Sequence, residues 1–175
     1  LATVRPGFLV HAALLSRNGQ GILVCGAPGA GKTTLSVSLL LAGSGYHADD
    51  IVWIGEAGDT VGAPFAPALK EGSWPLLEQM GGDLPTSPTY LRADGQQVRY
   101  LLPPAVRQVP VGLGSIVLLE RQATGPVRVE TVEPLEVLTA ILGSAYSGQG
   151  AISPPALKSE TEARLLEYNL IKRHR

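Results

Sequence analysis

Gly26-Ala27-Pro28-Gly29-Ala30-Gly31-Lys32-Thr33 fits the pattern G-x-x-x-x-G-K-[ST] in full. The residues before it, Gly21 to Cys25, form a short apolar, strand-like run. The residues after it, Lys32 to Ala42, contain neither proline nor glycine and carry leucines at 35, 39, 40 and 41, and Gly43-Ser44-Gly45 then stops the pattern as helix C-termini often do. Strand, glycine loop and helix in that order is the setting in which this pattern cradles phosphate. Glycines let the backbone curl so that successive N–H groups face phosphate oxygens, and the helix N-terminus adds its dipole. Gly26, Ala27, Pro28, Gly29, Ala30, Gly31, Lys32, Thr33 and Thr34 are therefore the candidate nucleotide-binding residues. Lys32 is expected to reach the β and γ phosphates and Thr33 to ligate magnesium, which makes ATP and Mg2+ the expected cofactors.

Upstream, Phe8 to Ser16 is a second apolar run, separated from Gly21 to Cys25 by Arg17-Asn18-Gly19-Gln20. Asn-Gly is among the strongest short hairpin signals, so the two runs read as an antiparallel pair with Arg17 opposite Gln20. Continued along both strands, that register places His11 opposite Gly26 and makes His11 a candidate at the phosphate site. The alternative reading of His11 is a strand histidine with a partly buried ring.

Downstream, Asp49-Asp50 opens the β-branched and aromatic run ending at Ile54. Phosphoryl transfer uses one carboxylate for magnesium and often a second to accept the hydroxyl proton, and this pair is the leading candidate. Neighbouring side chains on a regular strand point to opposite faces, so both acids can reach one site only if Asp49 still belongs to the preceding loop. Glu120, which ends the apolar run Ser115 to Leu119, is the competing acid and would suit an ATPase that activates water.

The rest of the chain supplies scaffold. Leu91 to Leu102 reads as strands turning at Asp94-Gly95, Pro134 opens a helical pattern running to Ala145, and Ser159-Glu160-Thr161-Glu162 reads as a capping box for a terminal helix through Leu170. Gly62 to Pro88, rich in proline and glycine, gives no clear element. The expectation is an α/β fold with a mixed sheet, residues 1–175 forming one phosphate-loop domain from whose N-terminus some residues are missing, since Leu1 is not an initiator.

A net charge of −1 with scattered arginines offers no field for a nucleic-acid backbone. The lone cysteine, Cys25, makes no disulfide framework or thiolate cluster, and no charged leader or long apolar span is present, so a reducing cytoplasm is the expected location with no membrane partner.

The order His11, hairpin, Gly26 to Thr33, then Tyr46-His47-Ala48-Asp49-Asp50-Ile51-Val52 resembles the catalytic domain of the HPr kinase/phosphorylase family, and more closely its shorter HPr-kinase-related relatives. Pro64-Phe65-Ala66-Pro67-Ala68-Leu69-Lys70-Glu71-Gly72-Ser73 is also similar to a segment of those kinases. The resemblance implies a fold similar to the nucleotide domain of phosphoenolpyruvate carboxykinase and ATP- and magnesium-dependent phosphorylation of a serine on a protein or peptide. It further implies Asp49 as the base, Asp50 and Thr33 at magnesium, and His11 and Lys32 at the phosphates. Lys70 becomes a candidate contact to the transferred phosphate or the acceptor, whereas Trp74 and Phe65 read as packing residues. A serine-bearing protein or peptide is the expected partner, with further copies of the chain as an open option. HPr kinases carry an acidic residue and an arginine just before a Gly-Leu-Gly; here Pro110-Val111 precedes Gly112-Leu113-Gly114, so that motif's metal role is not carried over. A small-molecule kinase and a nucleotide-hydrolysing switch are the rival readings.

Overall fold

A computed structural model describes residues 6–84, 87–122, 124–147 and 150–151. The helix expected over 159–170 lies outside them.

The hairpin forms in the expected register. β2 (Ala13–Arg17) and β3 (Gln20–Gly26) pair from Arg17↔Gln20 to Ala13↔Val24. Asn18 and Gly19 take φ values of 51° and 78°, the left-handed pair that a two-residue turn matched to strand twist needs. The ladder does not continue to His11, however. Phe8 to Ser16 is two strands, because β1 (Gly7–His11) leaves β3 and pairs instead with β5 (Ile51–Gly55), setting His11 opposite Ile51 and not Gly26. Two backbone bonds fix the switch: His11 N–H donates to Ser144 O at 2.7 Å and Ala12 N–H to Asp50 O at 3.2 Å. The side-chain alternation survives it, since Val10, Ala12 and Leu14 all enter one core cluster.

α1 (Lys32–Leu41) follows the glycine loop and ends where the sequence stops it. Gly43 N–H donates to Leu40 O at 2.9 Å and Ser44 N–H to Leu39 O at 3.0 Å, satisfying carbonyls that the helix leaves open. That closure needs the left-handed φ of 92° that Gly43 adopts without steric cost.

The remaining strands complete a mixed sheet of nine described strands. With β4 (Gly45–Ala48), β6 (Asp59–Gly62), β10 (Val111–Leu119), β11 (Ala145–Ser147) and β12 (Gly150–Ala151), the order is β12-β11-β1-β5-β6-β10-β3-β2-β4. β10 runs parallel to β3, and the pairing closes at Leu119↔Gly26, the first residue of the loop. Helices cover both faces. Leu35, Leu39 and Leu40 of α1 pack on Ala13, Leu15 and Val24, while Val137 and Ile141 of α3 (Pro134–Gly143) pack on Leu14, Leu23 and Cys25. Double coverage explains why β2 and β3 read as nearly continuous apolar runs. α3 stops at Gly143, so Ala145, read from the sequence as its last apolar position, belongs to β11.

The segment that gave no clear element folds against α1, together with the strand pair expected about Asp94-Gly95. β7 (Ala68–Lys70), β9 (Gln97–Tyr100) and β8 (Thr89–Leu91) form a small antiparallel sheet, and α2 (Trp74–Gln79) follows a single 3-10 turn. Leu69, Leu77 and Leu84 enclose Val37 of α1 in a second core. The outcome places β7 and its connections over the glycine loop. Among the described residues no helix is long and apolar enough to cross a membrane.

Candidate active site

The glycine loop is held by the strand beside it. A Cβ on Gly26 would stand 2.5 Å from Leu119 O, so only glycine lets β10 approach the start of the loop this closely. Lys32, the first residue of α1, turns back along the loop, and its Nζ donates to Gly26 O at 2.8 Å and Ala27 O at 3.3 Å. Burial lowers the Lys32 pKa, and the charges of Asp49 and Asp50 oppose that shift. Two acids and one buried ammonium therefore share a small volume.

The acids lie in the bend between β4 and β5, which frees both from strand alternation, and both line one cavity with Pro28 to Thr34. Their surroundings differ. Thr33 Oγ1 donates to Asp49 Oδ2 at 2.8 Å. Asp49 is only 8% exposed, and its second oxygen, Oδ1, is buried with no hydrogen-bond partner among the described residues. Burial raises the Asp49 pKa to about 7, although the Thr33 hydroxyl pulls it the other way. Asp50 is exposed, and its Oδ1 lies 2.7 Å from His11 Nδ1. The β1–β5 pairing, and not the hairpin register, brings His11 to the site.

Lys70 ends β7, is exposed, lines the same cavity and acts on Lys32 as a like charge. Phe65 does not pack as the sequence suggested: it is 55% exposed on the cavity wall, where a tight turn at Pro64, closed by Phe65 N–H donating to Ala63 O at 2.8 Å, precedes it and its own carbonyl accepts from Tyr46 Oη at 2.6 Å. Trp74 does pack, donating from Nε1 to Leu69 O at 2.9 Å, with the Arg99 guanidinium 4.0 Å from its ring centroid. Glu120 is exposed and lies outside the cavity wall, although its neighbours Leu119 and Arg121 line it. Gly112 to Gly114 sit at the far end of β10, where Leu113 pairs with Gly21.

Sequence reading missed Arg121 and Tyr100 on the wall of this cavity, and Tyr146, whose Oη is 3.1 Å from His11 Nδ1. Arg121 lies two residues beyond a strand that ends at the loop and could have been suspected from that. Tyr146 carried no local signal, because strand pairing across 135 residues puts it there.

The donor set suits magnesium. Thr33 supplies a hydroxyl and Asp49 a buried oxygen in need of a partner, and magnesium usually takes one or two carboxylates plus water and substrate phosphates and needs no all-protein cage. Among the described residues no three His, Cys, Asp or Glu side chains cluster as a metal site.

One curated protein gives a partial match. An HPr kinase/phosphorylase from Nitrosomonas europaea is 33% identical over 67 residues, 38% of this chain and 21% of that protein. The relationship is distant. The match spans about a fifth of the relative's length, and no family model matches the chain.

Proposed function

We propose that the chain is an ATP- and magnesium-dependent phosphotransferase that passes the γ-phosphoryl group to a serine hydroxyl of a protein or peptide in a reducing cytoplasm. The observation that carries this reading is the convergence of Lys32, the Thr33–Asp49 bond and the His11–Asp50 pair on a single cavity of about 1050 Å³. That volume lies at the upper end of ordinary ligand clefts, which suits a nucleotide together with part of an acceptor.

In this reading the loop N–H groups and Lys32 hold the β and γ phosphates. Bound magnesium neutralises the charge on those phosphates. The resemblance gives Asp49 to the hydroxyl and Asp50 to the metal; two contacts support the opposite division. Asp49 is bonded to the hydroxyl that would ligate magnesium and keeps one buried oxygen unpartnered. Asp50 faces solvent, where an acceptor can reach it, with His11 holding its carboxylate. Asp50 thus accepts the serine proton as the hydroxyl oxygen bonds to the γ phosphorus and the bond from phosphorus to the β–γ bridging oxygen breaks, releasing ADP. Lys70, on the wall of the same cavity, meets the moving phosphoryl charge.

Measuring ATP consumption with and without a library of serine-centred peptides tests the reading. Consumption that depends on peptide, with phosphoserine formed in equal amount, supports it; ADP release that ignores the peptides points to a hydrolase.

A further inference from the structure

We propose that Tyr146 is a positioning residue that fixes the His11 imidazole, and through it the Asp50 carboxylate, by its hydroxyl oxygen. The reading of Asp50 as proton acceptor rests on the proposed phosphotransfer; the geometry does not.

β11 pairs with β1 at Leu9↔Tyr146 and Val10↔Ala145. Opposed residues in an antiparallel ladder share a face, and Leu9 and His11, two apart, share it too, so Tyr146 and His11 are diagonal neighbours within reach of each other. The rings meet edge to face, with centroids 6.2 Å apart and planes at 88°. The strand register alone therefore delivers the hydroxyl to the imidazole.

His11 Nδ1 has two oxygens around it, Asp50 Oδ1 at 2.7 Å and Tyr146 Oη at 3.1 Å. A bare ring nitrogen would oppose its lone pair to an ionised carboxylate at that distance. Nδ1 is consequently the donor, mainly to Asp50 and in part to Tyr146. Two acceptors on one N–H hold the ring against rotation about χ2, which the carboxylate alone would follow as it moved. The backbone bond from His11 N–H to Ser144 O at 2.7 Å anchors the same strand pair, so the ring is tied to β11 at both main chain and side chain.

A second cavity of about 590 Å³ meets the first at His11 and Pro28, with Gly26, Ala27 and Tyr146 also on its wall. His11 thus stands on the wall of both cavities with its side chain about one-third exposed, and Tyr146 Oη restrains its ring.

The test uses the full chain and Tyr146→Phe, which keeps the ring contact and removes only the oxygen. Nuclear Overhauser contacts from the His11 ring protons to the ring at position 146 report the imidazole's orientation without any substrate, so they decide the geometry even if no phosphotransfer occurs. The expected result is a single ring orientation in the parent and an averaged one in Tyr146→Phe. With a serine-peptide library as acceptor, turnover falls about tenfold while the Michaelis constant for ATP is unchanged, the pattern of a misplaced catalytic group. His11→Gln should remove the sensitivity, so that adding Tyr146→Phe to it costs nothing more. A single, unchanged ring orientation in Tyr146→Phe, or an averaged orientation with parental turnover in a preparation that transfers phosphate, overturns the proposal.

Discussion

Thr33 Oγ1 donates to Asp49 Oδ2 at 2.8 Å, joining the first turn of α1 to the bend that opens β5. The bond places a hydroxyl and a buried carboxylate side by side at the end of the glycine loop, the pair that would hold magnesium in the proposed reaction. Thr33→Val keeps the shape and removes the oxygen. It should abolish the magnesium dependence of nucleotide-induced thermal stabilisation while leaving the nucleotide-free protein folded. A magnesium titration of the thermal shift for parent and variant checks it, and identical curves would remove Thr33 from the metal site.

The buried Asp49 makes the nucleotide-free protein sensitive to pH. Its pKa is raised from the usual carboxylate range to about 7, so between roughly pH 4 and 7 the folded state binds a proton that the unfolded chain has released. Stability is then fully present below the unfolded value near 4 and is lost as pH rises through 7. The loss by pH 8 is on the order of a few kcal/mol. Asp49→Asn, which cannot ionise, should flatten this limb and melt above the parent at pH 8. Thermal unfolding at pH 5, 6, 7 and 8 without nucleotide decides the matter; a parent that gains stability across that range would show that Asp49 stays ionised.

Lys32 is tethered to loop carbonyls and is not part of the core. Lys32→Ala should therefore fold normally yet lose its response to ATP. A bound nucleotide at a hundred times its dissociation constant stabilises by about 2.7 kcal/mol, and the variant should show almost none of this. Equal thermal shifts for the two proteins would separate the loop from nucleotide binding.

How far the site could be read from sequence depended on the range of the interactions that build it. The Asn18-Gly19 turn is a local signal, and the structure follows it in register; the glycine loop lies between β3 and α1, as its flanking pattern leads one to expect. Asp49 and Asp50 were legible as a pair, but their opposite surroundings were not, because Thr33 and His11 approach them from different elements. His11 was singled out through a register that stops two residues short of it, at Ala13↔Val24. Strand pairing between β1 and β5, invisible without the sheet order, brings it to the cavity instead. The strand pair about Asp94-Gly95 was legible from its turn, whereas β7, with three residues, and α2, with six, are too short to show a period among prolines and glycines.

Gly26→Ala tests the contact that pins the loop. The added methyl would sit 2.5 Å from Leu119 O, a backbone atom of a parallel partner strand that cannot move alone. The expected cost is about 1 to 3 kcal/mol from overpacking, together with weakened ATP binding. Chemical denaturation measures the first and thermal shift the second. Gly72→Ala, whose methyl would meet nothing within 4 Å, is the control and should unfold like the parent.

The division of labour between the two acids is measured most directly by single-turnover transfer from radiolabelled ATP to serine-centred peptides, with the parent, Asp49→Asn and Asp50→Asn compared at saturating magnesium and nucleotide. The account predicts phosphoserine in the parent. It predicts transfer slowed on the order of a hundredfold or more in Asp50→Asn with magnesium–ATP binding retained, as expected for loss of a general base. In Asp49→Asn, magnesium-dependent binding itself should weaken. Release of inorganic phosphate with no phosphoserine, at one rate whether or not peptide is present, would contradict it.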